Sequence, residues 1–134
     1  MKIKKLHIEI FFNYVKGTEG ILSLSEARMR DMFLNKLLEP LQTYIQDRDK
    51  IYKEFCIKDN EGNPDLLDGT KYQFDKDKID EINKELIELN DEEIEIEIPS
   101  ILSLSKLKEI LEKSEYKPKV GETEVIDTVV NSIA

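Results

Sequence analysis

The segment Glu92 to Ile98 alternates between glutamate and isoleucine and is followed by Pro99. Alternation with a period of two places the isoleucines on one face of a strand and the glutamates on the other. The outward-facing glutamates are Glu93, Glu95 and Glu97. The pattern therefore predicts a strand over residues 93–98 with one buried face and one acidic face.

A second alternating segment, Ile3 to Phe12, predicts the first strand of the chain. One side carries Leu6, Ile8, Ile10 and Phe12, and the other carries Lys5, His7, Glu9 and Phe11. If the two predicted strands are neighbours, Lys5 and His7 face the acidic strand in cross-strand pairs worth about 0.2 to 1 kcal/mol each. The acidic strand then has a structural explanation, because its charges are neutralised within the fold.

A long helix is predicted from Ser23 to about Cys56. Ser23 and Glu26 fit a capping box, in which each side chain bonds to the backbone N–H of the other residue. The apolar residues that follow at helical spacing are Met29, Phe33, Leu37, Leu41, Tyr44, Ile45, Ile51, Tyr52 and Phe55. Pro40 lies within this stripe, and proline both removes a donor and clashes with the preceding turn. We therefore expect a kink near residues 36–41, or two helices that meet there.

The segment Lys58 to Gly69 is rich in turn-forming residues and is predicted to be a loop. Thr70 to Phe74 is predicted to return as a short strand, in a hairpin with residues 55–58. After it, Asp75 or Asp77 is expected to cap a helix that has one apolar face. That face consists of Ile79, Ile82, Leu86 and Leu89.

Two further helices are predicted near the end of the chain. Pro99 and Ser100 are expected to open the first, whose apolar residues include Leu104 and Leu107, and the second covers Thr123 to Ile133. Together these elements predict one α+β domain over residues 1–134. Its architecture is a small, mainly antiparallel sheet packed against a long kinked helix and three shorter helices.

The net charge of −9 is concentrated in one part of the chain. Residues 75–97 hold eleven acidic residues and three lysines, which accounts for −8 of it. Proteins that bind nucleic acid or anionic membranes need clustered Lys and Arg, so the composition argues against both partners. Since no apolar stretch approaches the roughly 20 residues of a membrane span, and the single cysteine fits a reducing compartment, we expect a cytoplasmic protein.

The sequence offers few residues for catalysis or for zinc. His7 and Cys56 are the only histidine and cysteine, and a zinc site needs several such ligands at set spacings. Asp75 and Asp77 suggest a magnesium-dependent hydrolase, but no strand carboxylate followed by a positioned lysine accompanies them. There is no glycine-rich phosphate loop, nucleophile elbow or dinucleotide motif. We therefore expect a protein that is not an enzyme and that has no cofactor, no catalytic residue and no metal site.

The loop that begins at Asp59 invites comparison with a calcium-binding EF-hand. Asp59, Glu61 and Asn63 occupy its first, third and fifth positions. However, Pro64 replaces the glycine at the sixth position, and Thr70 replaces the bidentate glutamate. The loop is better interpreted as a connector, with weak calcium binding as the alternative.

The remaining candidate site is a surface for binding another protein. Its acidic members lie on the helix and strand of residues 80–97 and are Asp80, Glu81, Glu85, Glu88, Asp91, Glu92, Glu93, Glu95 and Glu97. Such a surface complements a basic partner, although a solvated helix face with an internally paired strand explains the same residues. Arg28 and Arg30 are a second candidate, because positive charge near a helix N-terminus is unfavourable unless a partner or a residue such as Asp31 balances it.

The order of these features resembles a family of short proteins of unknown function from phages and prophages of Gram-positive bacteria. The resemblance spans about Ser25 to Pro99. It depends on Arg28-Met29-Arg30, Phe33, Leu37-Leu38, the run Lys58 to Asn63, Lys71-Tyr72, Glu85-Leu86 and Glu92-Glu93-Ile94. The resemblance implies a phage protein that acts in the cytoplasm of a bacterial host, and it implies no established activity.

Three functions are consistent with these observations. In the first, the protein binds a host or phage protein, and its acidic surface mimics nucleic acid to inhibit a host nucleic-acid-handling or defence protein. In the second, it is a virion assembly or structural accessory protein that forms a homo-oligomer through Met29, Met32 and Phe33 on the long helix. In the third, least favoured, it is a metal-dependent hydrolase that uses Asp75 or Asp77. The first is our prediction.

Overall fold

A computed structural model describes residues 1–18, 21–100 and 102–133 of the chain. Within these ranges the fold consists of two strands and five α-helices. In chain order they are β1 (Lys2–Lys4), α1 (Lys5–Lys16), α2 (Leu24–Phe55), α3 (Ile79–Asp91), β2 (Glu93–Glu95), α4 (Leu104–Leu111) and α5 (Glu122–Ser132). The predicted α+β class is confirmed, with one long helix and a small antiparallel sheet.

The sheet pairs a basic strand, β1, with the acidic strand, β2. β1 and β2 are antiparallel, with Lys2 opposite Glu95, Ile3 opposite Ile94 and Lys4 opposite Glu93. Ile3 is 3 % exposed, whereas the flanking lysines face solvent. The acidic strand was therefore predicted correctly in place and alternation, although the regular ladder ends at Glu95 and not at residue 98.

The predicted strand over residues 3–12 is wrong, because only its first residues are extended and α1 begins at Lys5. Ile8, Phe11 and Val15 are at most 1 % exposed and lie three and four residues apart, which is the spacing of a helix face. Phe11 packs edge-on against Phe33 of α2, with ring centroids 5.9 Å apart. The short helices consequently number four and not three.

α2 starts at the predicted capping box. The Ser23 Oγ accepts from the Glu26 N–H at 3.2 Å, and the Glu26 carboxylate accepts from the Ser23 N–H at 3.3 Å. The helix runs through Pro40 without interruption, so the alternative of two helices meeting there is wrong. Its buried face, which includes Phe33 and Leu37, packs against α1, and the pairing of these two helices forms the centre of the core.

The connector between α2 and α3 is a loop, as predicted, but it holds no hairpin. The Ile57 N–H donates to the Gln73 carbonyl and the Asp65 N–H donates to the Ile57 carbonyl, both at 2.8 Å. Only isolated bridges form there. The Asp59 carboxylate accepts from two backbone N–H groups of its own loop, which is the local bonding that favours Asp in turns.

The caps of the later helices differ from the predictions. Neither Asp75 nor Asp77 caps α3 through its side chain; a short 3₁₀ turn, Lys76–Lys78, leads into the helix instead. α4 is capped by Ser103, whose Oγ accepts from the Lys106 N–H at 3.1 Å, and so it starts later than Ser100. α5 matches its predicted range within one residue at each end.

Candidate protein-binding surface

The candidate acidic surface consists of nine carboxylates on α3, β2 and the residues next to them. All nine are exposed. They are Asp80, Glu81, Glu85, Glu88, Asp91, Glu92, Glu93, Glu95 and Glu97. The name acidic surface is used below for this set.

On α3 the acids share one side of the helix. Since each residue turns the helix by about 100°, the five from Asp80 to Asp91 fall within an arc of about 140°, which also contains Lys84. Ile82 and Leu89 lie on the opposite side and are 5 % and 7 % exposed. The helix therefore binds the core through its apolar side and directs its carboxylates away from it.

The macrodipole of α3 explains only some of these charges. Asp80 and Glu81 lie in the first turn, where negative charge is stabilising. Glu88 and Asp91 lie at the opposite end, and the last turn holds no basic residue. Acids at a helix C-terminus reduce helix stability by about 0.3 to 1 kcal/mol each, so intrinsic helix stability gives no reason for Glu88.

Five members of the surface have basic neighbours within the fold. Glu92 bonds to Lys5, Asp91 lies 3.8 Å from Lys4, Glu97 lies 3.2 Å from Lys36, and Glu81 lies 3.9 Å from Lys78. In the sheet, Glu95 lies opposite Lys2. Exposed pairs of this kind contribute about 0 to 1 kcal/mol each. The prediction of internal pairing is thus partly right: Lys5 is a partner, but of Glu92 and not of the strand glutamates, and His7 is not among the basic neighbours.

Asp80, Glu85, Glu88 and Glu93 differ from the rest. Across the part of the chain that the structure describes, no Lys or Arg nitrogen lies within 4.0 Å of their carboxylates. Glu93 lies opposite Lys4 in the sheet, but the Lys4 ammonium is directed to Asp91. These four carboxylates are therefore the part of the acidic surface that internal pairing does not account for.

His7 does not join the acidic strand, because it lies on α1 and not in the sheet. Burial lowers the pKa of its imidazole below the ordinary value, and the nearby Lys4 ammonium lowers it further. Both effects favour the neutral ring. His7 therefore adds little positive charge beside the sheet.

Arg28 and Arg30 lie in the first two turns of α2, apart in sequence from the acidic surface on α3 and β2. The Arg30 Nε donates to the Asp31 carboxylate at 3.0 Å, and the Arg30 side chain is only 12 % exposed. The predicted pairing with Asp31 is confirmed for Arg30. Arg28 is exposed.

A buried carboxylate that the sequence analysis did not single out as a site joins α2 to α4. Glu26 is 8 % exposed, and the Lys113 Nζ donates to both of its oxygens, at 3.2 and 2.9 Å. The Lys106 Nζ lies 3.4 Å away. The bond from Lys113, with the Ser23 N–H, lowers the pKa of Glu26 to about 2. The capping-box motif placed Glu26 on α2, but no local pattern indicates its partner Lys113, which is 87 residues away.

A groove that sequence reasoning missed lies between α2 and β2. Its volume is about 690 Å³, which is within the range of binding pockets. Its lining comes from Asn35, Lys36, Glu39, Pro40 and Thr43 of α2, and from Lys5, Ile94, Glu95 and Glu97. No sequence signal joins these two segments, because only the folded chain brings the middle of α2 to the edge of the sheet.

Other candidate residues are placed plainly by the structure. Cys56 is buried, and its thiol lies 3.3 Å from the Lys53 carbonyl. Asp75 and Asp77 are exposed. Within residues 1–18, 21–100 and 102–133, no three His, Cys, Asp or Glu side chains are grouped so as to hold a metal ion. None of the described helices is long and apolar enough to cross a membrane.

Comparisons with known proteins identify no relative of this chain. No family model, no curated protein and no solved structure matches the chain. The resemblance to a phage family therefore stays a prediction, and the function must be argued from the surface itself.

Proposed function

We propose that this chain is a phage-encoded protein that catalyses no reaction and acts by binding a basic, nucleic-acid-handling protein of the host. The acidic surface occupies the site where that protein would otherwise hold a phosphate backbone. Binding of this kind inhibits the host protein by competition with nucleic acid.

The observation that carries the proposal is the set of four carboxylates that have no Lys or Arg nitrogen within 4.0 Å in the described chain, Asp80, Glu85, Glu88 and Glu93. Glu85 and Glu88 lie three residues apart on one side of α3, and like charges at that spacing repel each other by about 0.2 to 0.5 kcal/mol. Asp80 lies on the same side, where Lys84 is the one basic residue between Asp80 and Glu88. Such an arrangement costs stability in the free protein. A basic partner removes that cost, because its Lys and Arg residues supply the missing counter-charges.

Electrostatic complementarity of this kind speeds association and makes it sensitive to salt. The Debye length falls from about 10 Å at 0.1 M salt to about 3 Å at 1 M. Contacts between exposed charges therefore weaken steeply over that range, whereas apolar contacts persist. We expect the partner to be released from the immobilised protein at moderate salt.

The test compares two variants of equal charge in a pull-down from phage-infected bacterial lysate. The first, Asp80→Asn with Glu85→Gln, Glu88→Gln and Glu93→Gln, neutralises the four unpaired carboxylates. The matched control neutralises four exposed acids on other elements: Glu54, Glu112, Glu115 and Glu124. We expect the wild type and the control to retain a nucleic-acid-binding protein that duplex DNA displaces, and the first variant to lose it.

Equal retention by both variants would contradict the proposal, since the position of the neutralised carboxylates would then make no difference to binding. Retention that survives 1 M salt, or a captured protein that duplex DNA does not displace, would also contradict it. Each outcome is read by mass spectrometry of the fractions eluted by stepwise salt.

A second candidate function, assembly through α2, is favoured by apolar residues that this helix leaves exposed. Met32 is 43 % exposed, and Leu38 and Ile45, which lie seven residues apart on one stripe, are 40 % and 38 % exposed. Phe33 is fully buried against Phe11, so its predicted place in an oligomer interface is wrong. If this function holds, sedimentation at 1 M salt detects an oligomer that Leu38→Glu with Ile45→Glu dissociates.

A further inference from the structure

The sheet has two strands, so the outer edge of β2, like that of β1, has no neighbouring strand among the described residues. In an antiparallel pair, residues alternate between those that bond to the neighbouring strand and those that do not. The Ile96 N–H donates to the Met1 carbonyl at 2.7 Å, and the Lys5 N–H donates to the Glu92 carbonyl at 2.9 Å. Glu92, Ile94 and Ile96 therefore bond toward β1, and Glu93 and Glu95 direct their backbone groups to the opposite edge.

Those outward backbone groups are unused. Among residues 1–18, 21–100 and 102–133, no backbone or side-chain group bonds to the N–H or C=O of Glu93 or Glu95 outside the ladder. A row of unpaired N–H and C=O groups is a template for another strand. The edge is also short, so an added strand could pair with it over only a few residues.

The groove described above has residues of this strand in its lining, among them Glu95, one of the two residues with outward backbone groups. One wall is β2 itself, through Ile94 and Glu95, and the other wall is the middle of α2. Its volume of about 690 Å³ provides space next to the unpaired backbone groups. A strand that enters the groove would lie between the sheet and the helix, at the usual strand spacing of about 4.8 Å from β2.

The charges of the groove select a basic occupant. Its carboxylates are Glu39, Glu95 and Glu97, and its ammonium groups are Lys5 and Lys36. Both lysines already have carboxylate partners, Glu92 and Glu97. The Met1 ammonium lies 3.4 Å from Glu95. The groove lining still holds one more carboxylate than ammonium groups, and Glu39 has no Lys or Arg nitrogen within 4.0 Å in the described chain.

The protein contains its own template for such a segment. On the inner edge of β2, β1 pairs Lys-Ile-Lys with Glu-Ile-Glu, so that each outward lysine lies opposite an outward glutamate. Side chains directly opposite in an antiparallel pair lie about 4.5 to 5.5 Å apart, and opposite charges there are stabilising. The outer edge presents the same glutamates to a strand on its other side.

We propose that the groove binds an extended segment of the partner protein in which basic and apolar residues alternate, as an antiparallel third strand on β2. The inference rests on the proposed function and specifies how the partner is recognised. Backbone bonds to Glu93 and Glu95 provide the affinity, and Lys or Arg residues opposite these glutamates provide the specificity, as in other cases of strand addition. The Lys36 side chain is 44 % exposed, and a Lys or Arg residue of the partner takes its place in the ion pair with Glu97.

A second copy of this chain is a poor occupant of the same edge. Antiparallel pairing of β2 with β2 of another molecule places glutamate opposite glutamate, and like charges directly opposite are destabilising. This is a common way for proteins to prevent association of free edges. The groove thus disfavours β2 of a second copy and favours a basic strand.

The test uses a heptapeptide that copies the alternation of β1, acetyl-Lys-Val-Lys-Val-Lys-Val-Lys-amide, and two N-methylated analogues of it. In the proposed register the lysine N–H groups face β2 and the valine N–H groups face away. N-methylation of the third and fifth residues, both lysine, therefore removes bonds to β2. N-methylation of the second and fourth, both valine, is the matched control with the same charge and the same number of methyl groups.

We expect the parent peptide and the valine-methylated control to bind, measured by calorimetry in 50 mM salt. The lysine-methylated analogue is expected to bind at least about tenfold more weakly, since two backbone hydrogen bonds are lost. Equal binding by the two analogues, or no binding by the parent peptide, overturns the proposal. Because only the peptide is changed, a folding defect cannot produce either result.

A protein variant tests the same edge from the other side. Glu95→Pro removes an outward N–H but leaves the donors of Ile94 and Ile96 to β1 intact, and an edge strand tolerates proline at such a position. We expect it to weaken binding of the parent peptide at least about tenfold, whereas Glu95→Gln, which changes only the charge, weakens it less than about fivefold. Equal effects of the two substitutions overturn the proposal.

Amide hydrogen exchange supplies a readout that does not depend on affinity. Peptide binding should slow exchange at Glu93 and Glu95 and leave Ile96, which is already bonded to Met1, unchanged. Self-association of the free protein that Glu95→Pro abolishes would overturn the proposal, because the edge would then belong to a second copy. If the partner from lysate still depends on the four unpaired carboxylates but the two peptide analogues bind equally, the inference fails and the proposed function stands.

Discussion

Glu26 and Glu88 are both glutamates on helices, but the fold uses them in opposite ways. Glu26 is 8 % exposed and is bonded to Lys113, to the Ser23 backbone and, more distantly, to Lys106. Glu88 is exposed near the C-terminus of α3, where no Lys or Arg nitrogen of the described residues lies within 4.0 Å of it. One carboxylate holds two helices together, and the other faces solvent at a position that weakens its own helix.

The contrast between Glu26 and Glu88 shows that the number of acids in a segment does not reveal their role. An acid contributes to the fold when donors surround it, and it is available to a partner when none do. By this criterion the chain separates into a structural region around Glu26 and an available region on the outer side of α3. The substitutions below, one of them followed across a range of pH, test that separation in order of decreasing change in stability.

Substitution of the buried side of α3 should have the largest effect. Ile82→Ala removes a side chain that is 5 % exposed, and we expect the free energy of unfolding to fall by about 2 to 5 kcal/mol. Ile87→Ala is the matched control, because Ile87 is on the same helix and 61 % exposed; its effect should stay within about 0.5 kcal/mol. Urea denaturation measures both. Equal losses would show that α3 is not held by its apolar side.

Loss of the capping box should have an intermediate effect. Ser23→Ala removes the acceptor of the Glu26 N–H, and such caps contribute about 0.5 to 2 kcal/mol. Ser25→Ala is the control, since Ser25 is exposed and its side chain makes no hydrogen bond among the described residues. A loss as large for Ser25→Ala as for Ser23→Ala, in the same urea titration, would remove Ser23 from the structural region.

The Glu26 carboxylate predicts a specific dependence of stability on pH. The pKa of Glu26 falls from an ordinary value of 4.5 to about 2 in the folded protein. A lowered pKa contributes stability that is fully present above the unfolded pKa and is lost as the pH falls through the folded pKa. The stability difference between the wild type and Glu26→Gln should therefore shrink as the pH is lowered from about 4.5 to about 2.

Lys113→Met is the control for that measurement, because it removes the donor that lowers the pKa of Glu26 most. In the Lys113→Met variant, the stability difference caused by Glu26→Gln should disappear at a higher pH than it does in the wild type. A stability difference between the wild type and Glu26→Gln that is constant over the whole range would show that Glu26 is not held as an anion.

Neutralisation on the outer side of α3 should have the smallest effect and the opposite sign. Glu88→Gln removes two repulsions, from Glu85 and Asp91, and one attraction, to Lys84 four residues earlier, so stability at low salt should rise by about 0.2 to 0.5 kcal/mol in total. Glu124→Gln is the control, since Glu124 lies in the first turn of α5, where negative charge is favourable; it should lower stability. The gain for Glu88→Gln should vanish at 1 M salt, and a loss of stability would place Glu88 in the structural region.

Local patterns predicted the elements whose signals lie within a few residues. The capping box at Ser23 and the apolar face of α3 follow from side chains that interact within one or two turns. The strand of residues 93–95 follows from an alternation that does not suit a helix, because its isoleucines would then be divided between two opposite sides.

The same reasoning failed for residues 5–12, whose apolar positions satisfy both periods. Ile8, Phe11 and Val15 form a helix face, whereas Ile8 and Ile10 also fit a strand face. Packing against α2 decides between them, and the partner is not visible in the segment itself. The groove and the bond between Lys113 and Glu26 were missed for the same reason, since each joins residues far apart in sequence.

The pairing of β1 with β2 has a consequence for the order in which the protein folds. Met1 and Ile96 are bonded although 95 residues separate them, so the sheet closes a loop that contains α1, α2 and α3. Such closure carries a large entropic cost until the intervening helices have packed, which makes non-local strand pairing slow. The edge of β2 is therefore complete only in a chain that has finished folding, and a nascent or partly folded copy would present no groove to a partner.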